Sequence, residues 1–285
     1  MELGINSGIW EIKGIKLEGS AYMIKDFGFK YVDVFAVGSS DPLKLAVKDK
    51  IKISKIFQKK ELTASNMVAI PTGNIASSDP AEKEMCMRYL KSCALFQSEL
   101  GGKQILIGHG GGSLALDIEF EKAWVNSSDF LKEFCEYLDS LNMILTLELE
   151  PMVFYMINNT YRMLKMIEDV NMPNIFANID IGHLAITRES PQKLEKLKDY
   201  ILHVHISDCD GMQHENLIIG TGTALIRDYL IGLINMDLNK NCRKHKISMV
   251  AALELGVIGQ KIEDLESYVN KSIDYVKKNV PEISF

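Results

Sequence analysis

The chain has 285 residues, 47% of them hydrophobic, and a formal net charge of −6. Its length is close to the roughly 250 residues of an eight-fold β/α barrel and allows one large hydrophobic core. The acidic balance argues against nucleic acid as a partner, because polyanions bind to surfaces with excess positive charge.

The sequence also argues against contact with a membrane and against disulfide bonds. No apolar run reaches the roughly 18 residues needed to cross a bilayer, and the first residues lack the pattern of a secretory signal, so we expect a cytoplasmic protein. The five cysteines are widely spaced and odd in number, which disfavours a disulfide framework and a structural zinc site. A homo-oligomer is left open.

Short β-rich apolar runs alternate with longer segments of helical spacing, which is the pattern of parallel β/α units. The eight predicted strands are 3–9, 29–35, 62–69, 103–108, 144–149, 175–180, 201–206 and 247–254. The predicted helices are 17–27, 42–60, 80–100, 127–142, 159–170, 189–199, 223–235 and 262–279. The polar stretch 236–246 is expected to be a solvated loop. A doubly wound sheet would show the same alternation, so the count of eight favours a single (β/α)8 barrel over residues 1–285.

Four consecutive predicted strands end in or near a potential metal ligand. The ligands are Glu150 on the fifth strand, Asp180 on the sixth, His205 on the seventh and Glu254 on the eighth, and reactive groups in such folds collect at the carboxyl ends of the strands. Carboxylates within apolar strands are costly to bury unless a shared cation compensates them. This oxygen-rich set suits Mn²⁺, Mg²⁺ or Co²⁺; we favour one Mn²⁺ ion, with Zn²⁺ also open.

Two of these strands carry a second candidate at a spacing of two. Because side chains alternate across a strand, Glu148 points the same way as Glu150, and His203 the same way as His205. The outer member of each pair lies nearer to the open mouth of the barrel. We therefore assign Glu150 and His205 to the metal and expect Glu148 and His203 to lie deeper, as buried, hydrogen-bonded groups.

Five segments resemble, in order and spacing, the xylose isomerase-like barrels, which include sugar isomerases, ketose 3-epimerases, inosose dehydratases and apurinic-site endonucleases. They are 147–151 (LELEP), 180–183 (DIGH), 203–208 (HVHISD), 219–222 (IGTG) and 252–254 (ALE). Segment 25–33 also resembles the second unit of that family, with Asp33 where a glutamate is more usual.

The resemblance implies metal ligation by Glu150, Asp180, His205 and Glu254, with His183 beside the substrate. In the epimerase branch, the residues that match Glu150 and Glu254 also exchange protons with the sugar carbon from opposite sides. A cation that chelates the carbonyl and the adjacent hydroxyl makes such proton removal easier. The resemblance thus implies an isomerase or epimerase of a small sugar or polyol.

Several positions depart from the ketose 3-epimerases or leave a role open. Met156 stands where those enzymes carry a second glutamate and Gly211 where they carry an arginine, and both of those residues contact substrate in that branch. Asn216 occupies the position of a usual histidine, and His214, two residues earlier, either substitutes for that histidine or is exposed.

Three further residues are candidates for substrate contact. His109 lies in the glycine-rich turn after the fourth strand, Asp208 closes the segment after the seventh strand, and Trp10 follows the first strand. The alternative for His109 is a flexible loop, and the alternative for Trp10, which could stack on a sugar ring, is ordinary packing.

The sequence leaves three other functions open. An inosose-type dehydratase would begin with the same proton abstraction. An apurinic-site endonuclease would need extra histidines for three metals, and the third strand supplies none. A barrel that binds a sugar-like ligand without converting it is the third alternative, to which Met156 and Gly211 point.

Overall fold

The computed structural model describes residues 1–115, 118–256 and 264–285. Eight parallel strands form a closed barrel in which each strand pairs with its neighbours in chain order and β8 pairs with β1. The strands are β1 (Glu2–Asn6), β2 (Tyr31–Phe35), β3 (Thr63–Ala69), β4 (Gln104–Ile107), β5 (Ile144–Glu148), β6 (Ile175–Asp180), β7 (Ile201–Ile206) and β8 (Val250–Leu253). The predicted (β/α)8 barrel is confirmed.

Helices lie between the strands and bury their apolar faces against the barrel. They are α1 (Gly8–Ile12), α2 (Leu17–Asp26), α3 (Val47–Lys59), α4 (Pro80–Glu99), α5 (Phe120–Ser140), α6 (Thr160–Val170), α7 (Ile181–Ile186), α8 (Ile226–Asn235), α9 (Asn239–His245) and α10 (Leu265–Asn279). Residues Pro191–Leu197 form a 3-10 helix. Within the described ranges, no helix has both the length and the apolar character needed to cross a bilayer.

Local sequence signals explain where several helices begin and end. The Asp79 carboxylate accepts a hydrogen bond from the Ala81 N–H (2.9 Å) immediately before α4, whose first residue is Pro80. Asn159 caps α6 in the same way, and Asn171, the residue after α6, has the left-handed conformation. Both features satisfy backbone groups that a helix end leaves without partners.

The structure differs from the predicted elements at several places. α3 begins at Val47 instead of 42, and α5 begins at Phe120 instead of 127. Residues 7–9 turn out of β1 into α1, because the Asn6 side chain accepts a hydrogen bond from the Gly8 N–H. The predicted helix 189–199 is a 3-10 helix, and α7 was not predicted. The loop predicted at 236–246 is wrong, because α9 forms there around the buried amide of Asn241, which donates to the Lys198 and Ile201 carbonyls. The predicted start of the last helix, at 262, lies outside the described residues.

Asp208 anchors the loop that follows β7. Its buried carboxylate accepts four backbone N–H hydrogen bonds: Oδ1 from Cys209 (2.9 Å) and Ala224 (3.2 Å), and Oδ2 from Gly220 and Gly222 (both 2.9 Å). A Cβ atom at Gly222 would lie 2.3 Å from Asp208 Oδ1, so glycine is required for this close approach. The prediction that Asp208 contacts substrate does not fit the structure, because its oxygens are engaged by the loop.

We expect Asp208→Asn to loosen this loop. An amide offers one acceptor oxygen and turns its NH₂ group toward donors, so backbone N–H groups lose acceptors at a cost of about 1–3 kcal/mol each. Hydrogen–deuterium exchange measured by mass spectrometry should become faster in residues 217–225 and stay unchanged in β5. Asp210→Asn is the matched control, because the exposed Asp210 also accepts two backbone N–H hydrogen bonds. Wild-type exchange rates in Asp208→Asn would contradict the anchoring role.

Candidate functional site

Four ligand-type side chains meet at the carboxyl end of the barrel. Glu148, Asp180, His205 and Glu254 each offer one donor atom, and these atoms all lie within 4.8 Å of one another. His205 Nδ1 lies 2.8 Å from Glu148 Oε1 and 2.7 Å from Glu254 Oε2. We call these residues the four-residue group.

The four-residue group contains three of the four residues predicted as metal ligands, with Glu148 where Glu150 was predicted. Both glutamates face the same side, as strand alternation requires, but β5 ends at Glu148. Glu150 belongs to the following loop, where its backbone N–H donates to the Ile157 carbonyl (3.0 Å) and its Oε1 accepts from the His109 N–H (3.2 Å). The Glu150 carboxylate is not part of the four-residue group.

The ring of His205 is fixed by a buried carboxylate on its far side. Its Nε2 lies 3.1 Å from Asp33 Oδ2, which also lies 2.7 Å from His203 Nε2, while the Ser65 hydroxyl donates to Asp33 Oδ1 (2.6 Å). His203 is fully buried, as expected. A carboxylate behind a histidine sets its tautomer and orientation, so His205 Nδ1 is directed toward the other three side chains.

Burial and mutual charge shift the pKa values in the four-residue group. Burial raises the pKa of Glu148 to about 7, against the opposing effect of His205. Burial also disfavours the charged form of His205, yet the carboxylates of Glu254 and Glu148 outweigh it and raise the pKa of His205 well above its usual value. The carboxylates therefore create a negative potential at this site, which stabilises a proton or a cation bound there.

Neighbouring histidines lower the pKa values of the two buried aspartates, Asp180 and Asp33. Burial would raise the pKa of Asp180, but the charges of His183 and His214 lower it overall. Burial would likewise raise the pKa of Asp33, and the imidazoles of His203 and His205 hold it well below its usual range. Asp33 thus has its compensating partners within the protein.

Two carboxylate oxygens of the four-residue group lack full compensation. Asp180 Oδ2 is buried and has no hydrogen-bond partner among the described residues. The buried Glu254 Oε2 shares His205 Nδ1 (2.7 Å) with Glu148 Oε1 (2.8 Å), and that nitrogen carries at most one proton. Buried polar atoms without partners cost free energy and call for an explanation, of which a bound ion is one. Three carboxylates and one imidazole are a donor set that divalent cations accept, so these residues fit a metal ion.

A second group of ligand-type side chains lies beside the four-residue group. Glu150, His183 and His214 bring donor atoms within 4.8 Å of one another, and we call them the rim group. His183 Nδ1 lies 2.6 Å from the Leu149 carbonyl, so its Nε2 faces His214 Nε2 (2.9 Å) and Glu150 Oε2 (4.0 Å). The structure thus brings His214 to the site.

The pKa values of the two histidines in the rim group are shifted in opposite directions. Burial disfavours the charged form of His183, but Asp180 and Glu150 outweigh it and raise its pKa to about 9. Burial lowers the pKa of His214, and the neighbouring charge of His183 lowers it further. His183 is therefore the more readily protonated of the two imidazoles, and His214 the less readily protonated.

Glu148 and Glu254 of the four-residue group and Glu150 and His214 of the rim group line a pocket of about 320 Å³. His109 and Tyr155 stack on its wall, with ring centroids 5.8 Å apart. Asn6, at the end of β1, contributes an amide that donates to Glu254 Oε1 (3.3 Å). Sequence reasoning missed Asn6 and Tyr155, although the position of Asn6 at a strand end was a usable signal.

Two residues discussed from sequence do not reach this pocket. Trp10 is fully buried and packs near Phe27, with ring centroids 6.2 Å apart, so the prediction that it stacks on a sugar ring does not fit the structure. Met156 is also fully buried, and its backbone N–H donates to the Gly112 carbonyl (2.9 Å). The position of the second epimerase glutamate is therefore occupied by a buried residue of the hydrophobic core.

Two solved structures resemble this chain along nearly its whole length. The IOLI protein with a bound zinc atom has a TM-score of 0.80 at 17% identity, over 98% of this chain and 99% of that chain. D-psicose 3-epimerase from Clostridium cellulolyticum H10, solved with D-tagatose, has a TM-score of 0.78 at 14% identity, over the same shares. At these identities the likeness concerns the fold.

Sequence comparison agrees with the fold. Fructoselysine 3-epimerase from Escherichia coli O157:H7 is 28% identical over 128 residues, which are 44% of this chain and 46% of that protein. The match thus spans slightly less than half of this curated relative. The sequence model described as xylose isomerase-like TIM barrel matches residues 22–235, three quarters of the chain. The chain therefore belongs to the xylose isomerase-like TIM barrel family.

Proposed function

We propose that this protein is a divalent-metal-dependent epimerase or isomerase of a small polyhydroxylated carbonyl compound. The observation that carries the proposal is the convergence of the four-residue group at a pocket whose rim holds a further carboxylate and two imidazoles. The names of the curated relative and of one structural relative, both 3-epimerases, support the same reaction class.

The four-residue group would hold the cation. When bound, a divalent cation would act as a Lewis acid that polarises a substrate carbonyl and acidifies the adjacent C–H group. We favour Mn²⁺ because the donor set is rich in oxygen, while the zinc of the IOLI structure makes Zn²⁺ a necessary comparison. We also place the protein in the cytoplasm, where its five buried free cysteines would stay reduced.

Glu150 and Glu254 are our candidates for proton exchange with the substrate carbon. Each has a side chain that is 15% exposed, against 6% for Glu148 and 0% for Asp180, so these two carboxylates are the more accessible from the pocket. A carboxylate within hydrogen-bond reach of an acidified C–H group can act as a general base. We also propose that His183, whose pKa is raised, donates a hydrogen bond to a substrate oxygen in place of its contact with His214.

The charge of the pocket favours an unphosphorylated substrate. Glu148, Glu150 and Glu254 line it, and its described lining includes no lysine or arginine. A bound divalent cation and a protonated His183 would offset part of this negative charge, but the described lining offers no ammonium or guanidinium group to pair with a phosphate, and its carboxylates favour a ligand without negative charge. We therefore propose a neutral or amine-bearing sugar as the substrate.

The two glutamates of the β5 segment should differ in their effect on metal binding. We expect Glu148→Gln to raise the Kd for Mn²⁺ by about 10–100-fold or more, because it removes a charged donor. Glu150→Gln should leave the Kd nearly unchanged. Isothermal titration calorimetry measures both, with the exposed Glu168→Gln as a control. The opposite order of the two Kd values would show that Glu150 is the ligand.

Proton exchange should depend on both pocket carboxylates. In a panel of ketoses, ketosamines, inososes and sugar phosphates in D₂O, NMR should detect deuterium entering an unphosphorylated substrate without loss of water. Glu150→Gln and Glu254→Gln should each slow this exchange by about 10²–10⁴-fold, while Glu168→Gln retains the wild-type rate. Wild-type rates in both pocket variants would refute the acid–base pair, and release of water would identify a dehydratase instead.

A further inference from the structure

A second cavity lies at the opposite end of the barrel. It has a volume of about 470 Å³ and is lined by the first residues of four strands, among them Tyr31, Thr63, Gln104 and Val250. The pocket described above is lined instead by residues at or beyond the carboxyl ends of strands. The two cavities are therefore separated by the length of the barrel, and a ligand in one does not contact the other.

Three lysines converge on this second cavity. Lys30 and Lys103 directly precede β2 and β4, and Lys246 directly follows α9 and has the left-handed conformation. The described lining contains no aspartate or glutamate. Nor does any of the three lysines form an ion pair within the described ranges, where the paired cations are others. In a chain with a net charge of −6, this is a local excess of positive charge.

The contacts of these lysines do not neutralise them. Lys103 Nζ lies 3.4 Å from the His245 carbonyl, and Lys30 Nζ lies 5.1 Å from the centre of the Tyr31 ring. Both contacts orient the ammonium groups and leave donors free, because an ammonium group carries three N–H donors. The Tyr31 hydroxyl pairs with the Ser248 hydroxyl (3.0 Å), which adds polar groups to the same wall.

His245 provides a second sign of excess positive charge. Burial lowers its pKa, and the charges of Lys244 and Lys103 lower it further. An anion bound between the lysines would reduce this local excess of positive charge.

We propose that this cavity binds a small phosphate-bearing molecule. Compact ammonium groups on separate elements suit an oxyanion that carries several negative charges, and the volume exceeds what one phosphate group fills, falling in the range of small-ligand sites. The concave shape and the small number of lysines favour a small molecule over a nucleic acid. The site is independent of the proposed reaction.

Titration with pyrophosphate and with orthophosphate tests this proposal. Isothermal titration calorimetry should show one pyrophosphate per chain in the metal-loaded protein after free metal is removed. Replacing both Lys103 and Lys246 with glutamine should weaken binding by about tenfold or more, because charged hydrogen bonds are lost. Orthophosphate should bind at the same site more weakly, since it reaches fewer of the lysines.

The matched control replaces Lys122 and Lys132, exposed on α5, with glutamine, which removes the same total charge. This control variant should retain wild-type affinity for pyrophosphate. Three results would overturn the proposal: no binding to the wild-type protein, equal weakening in both double variants, or full affinity in the Lys103 and Lys246 variant. The proposed epimerase activity is measured separately, so its failure would not affect this result.

Discussion

The arrangement of the site follows from the way in which the barrel compensates buried negative charge. Asp208 is neutralised by four backbone N–H groups and Asp33 by two imidazoles and a hydroxyl. In the four-residue group, three carboxylates lie around the single imidazole of His205, and neighbouring amide, hydroxyl and backbone groups donate to one oxygen of each. Asp180 Oδ2 still has no partner among the described residues, and Glu254 Oε2 shares His205 Nδ1 with Glu148. The compensation that is complete at Asp208 and Asp33 is incomplete here, and a divalent cation is the simplest species that completes it.

Strands and loops contribute differently to this site. The strand-borne side chains Glu148, Asp180 and His205 are buried and held by ladder hydrogen bonds. The rim group includes residues of loops, where Glu150 is held by His109 and by the Ile157 backbone. Because β5 ends between its two glutamates, one short segment provides both a candidate metal ligand and a candidate acid–base residue. Such a division allows changes in the loops to alter substrate specificity while the strands preserve the cation site.

The features that sequence could predict are those that depend on local pattern. Apolar runs identified all eight strands, and their ends identified Asp180, His205 and Glu254. The choice between Glu148 and Glu150 could not be made in this way, because it depends on where β5 stops pairing and on a contact with the loop after β4. The helix at 239–245 depends on the buried Asn241, and the role of Asp208 depends on a glycine loop twelve to sixteen residues later. Trp10 is buried by tertiary packing that its neighbours in sequence do not reveal.

The central claim is that a single cation binds among Glu148, Asp180, His205 and Glu254. Crystals grown with Mn²⁺ and measured at the manganese absorption edge test it most directly. The account predicts one anomalous peak per chain, within coordination distance of all four side chains. A peak held instead by Glu150, His183 and His214, or no peak at a Mn²⁺ concentration that supports activity, would contradict it.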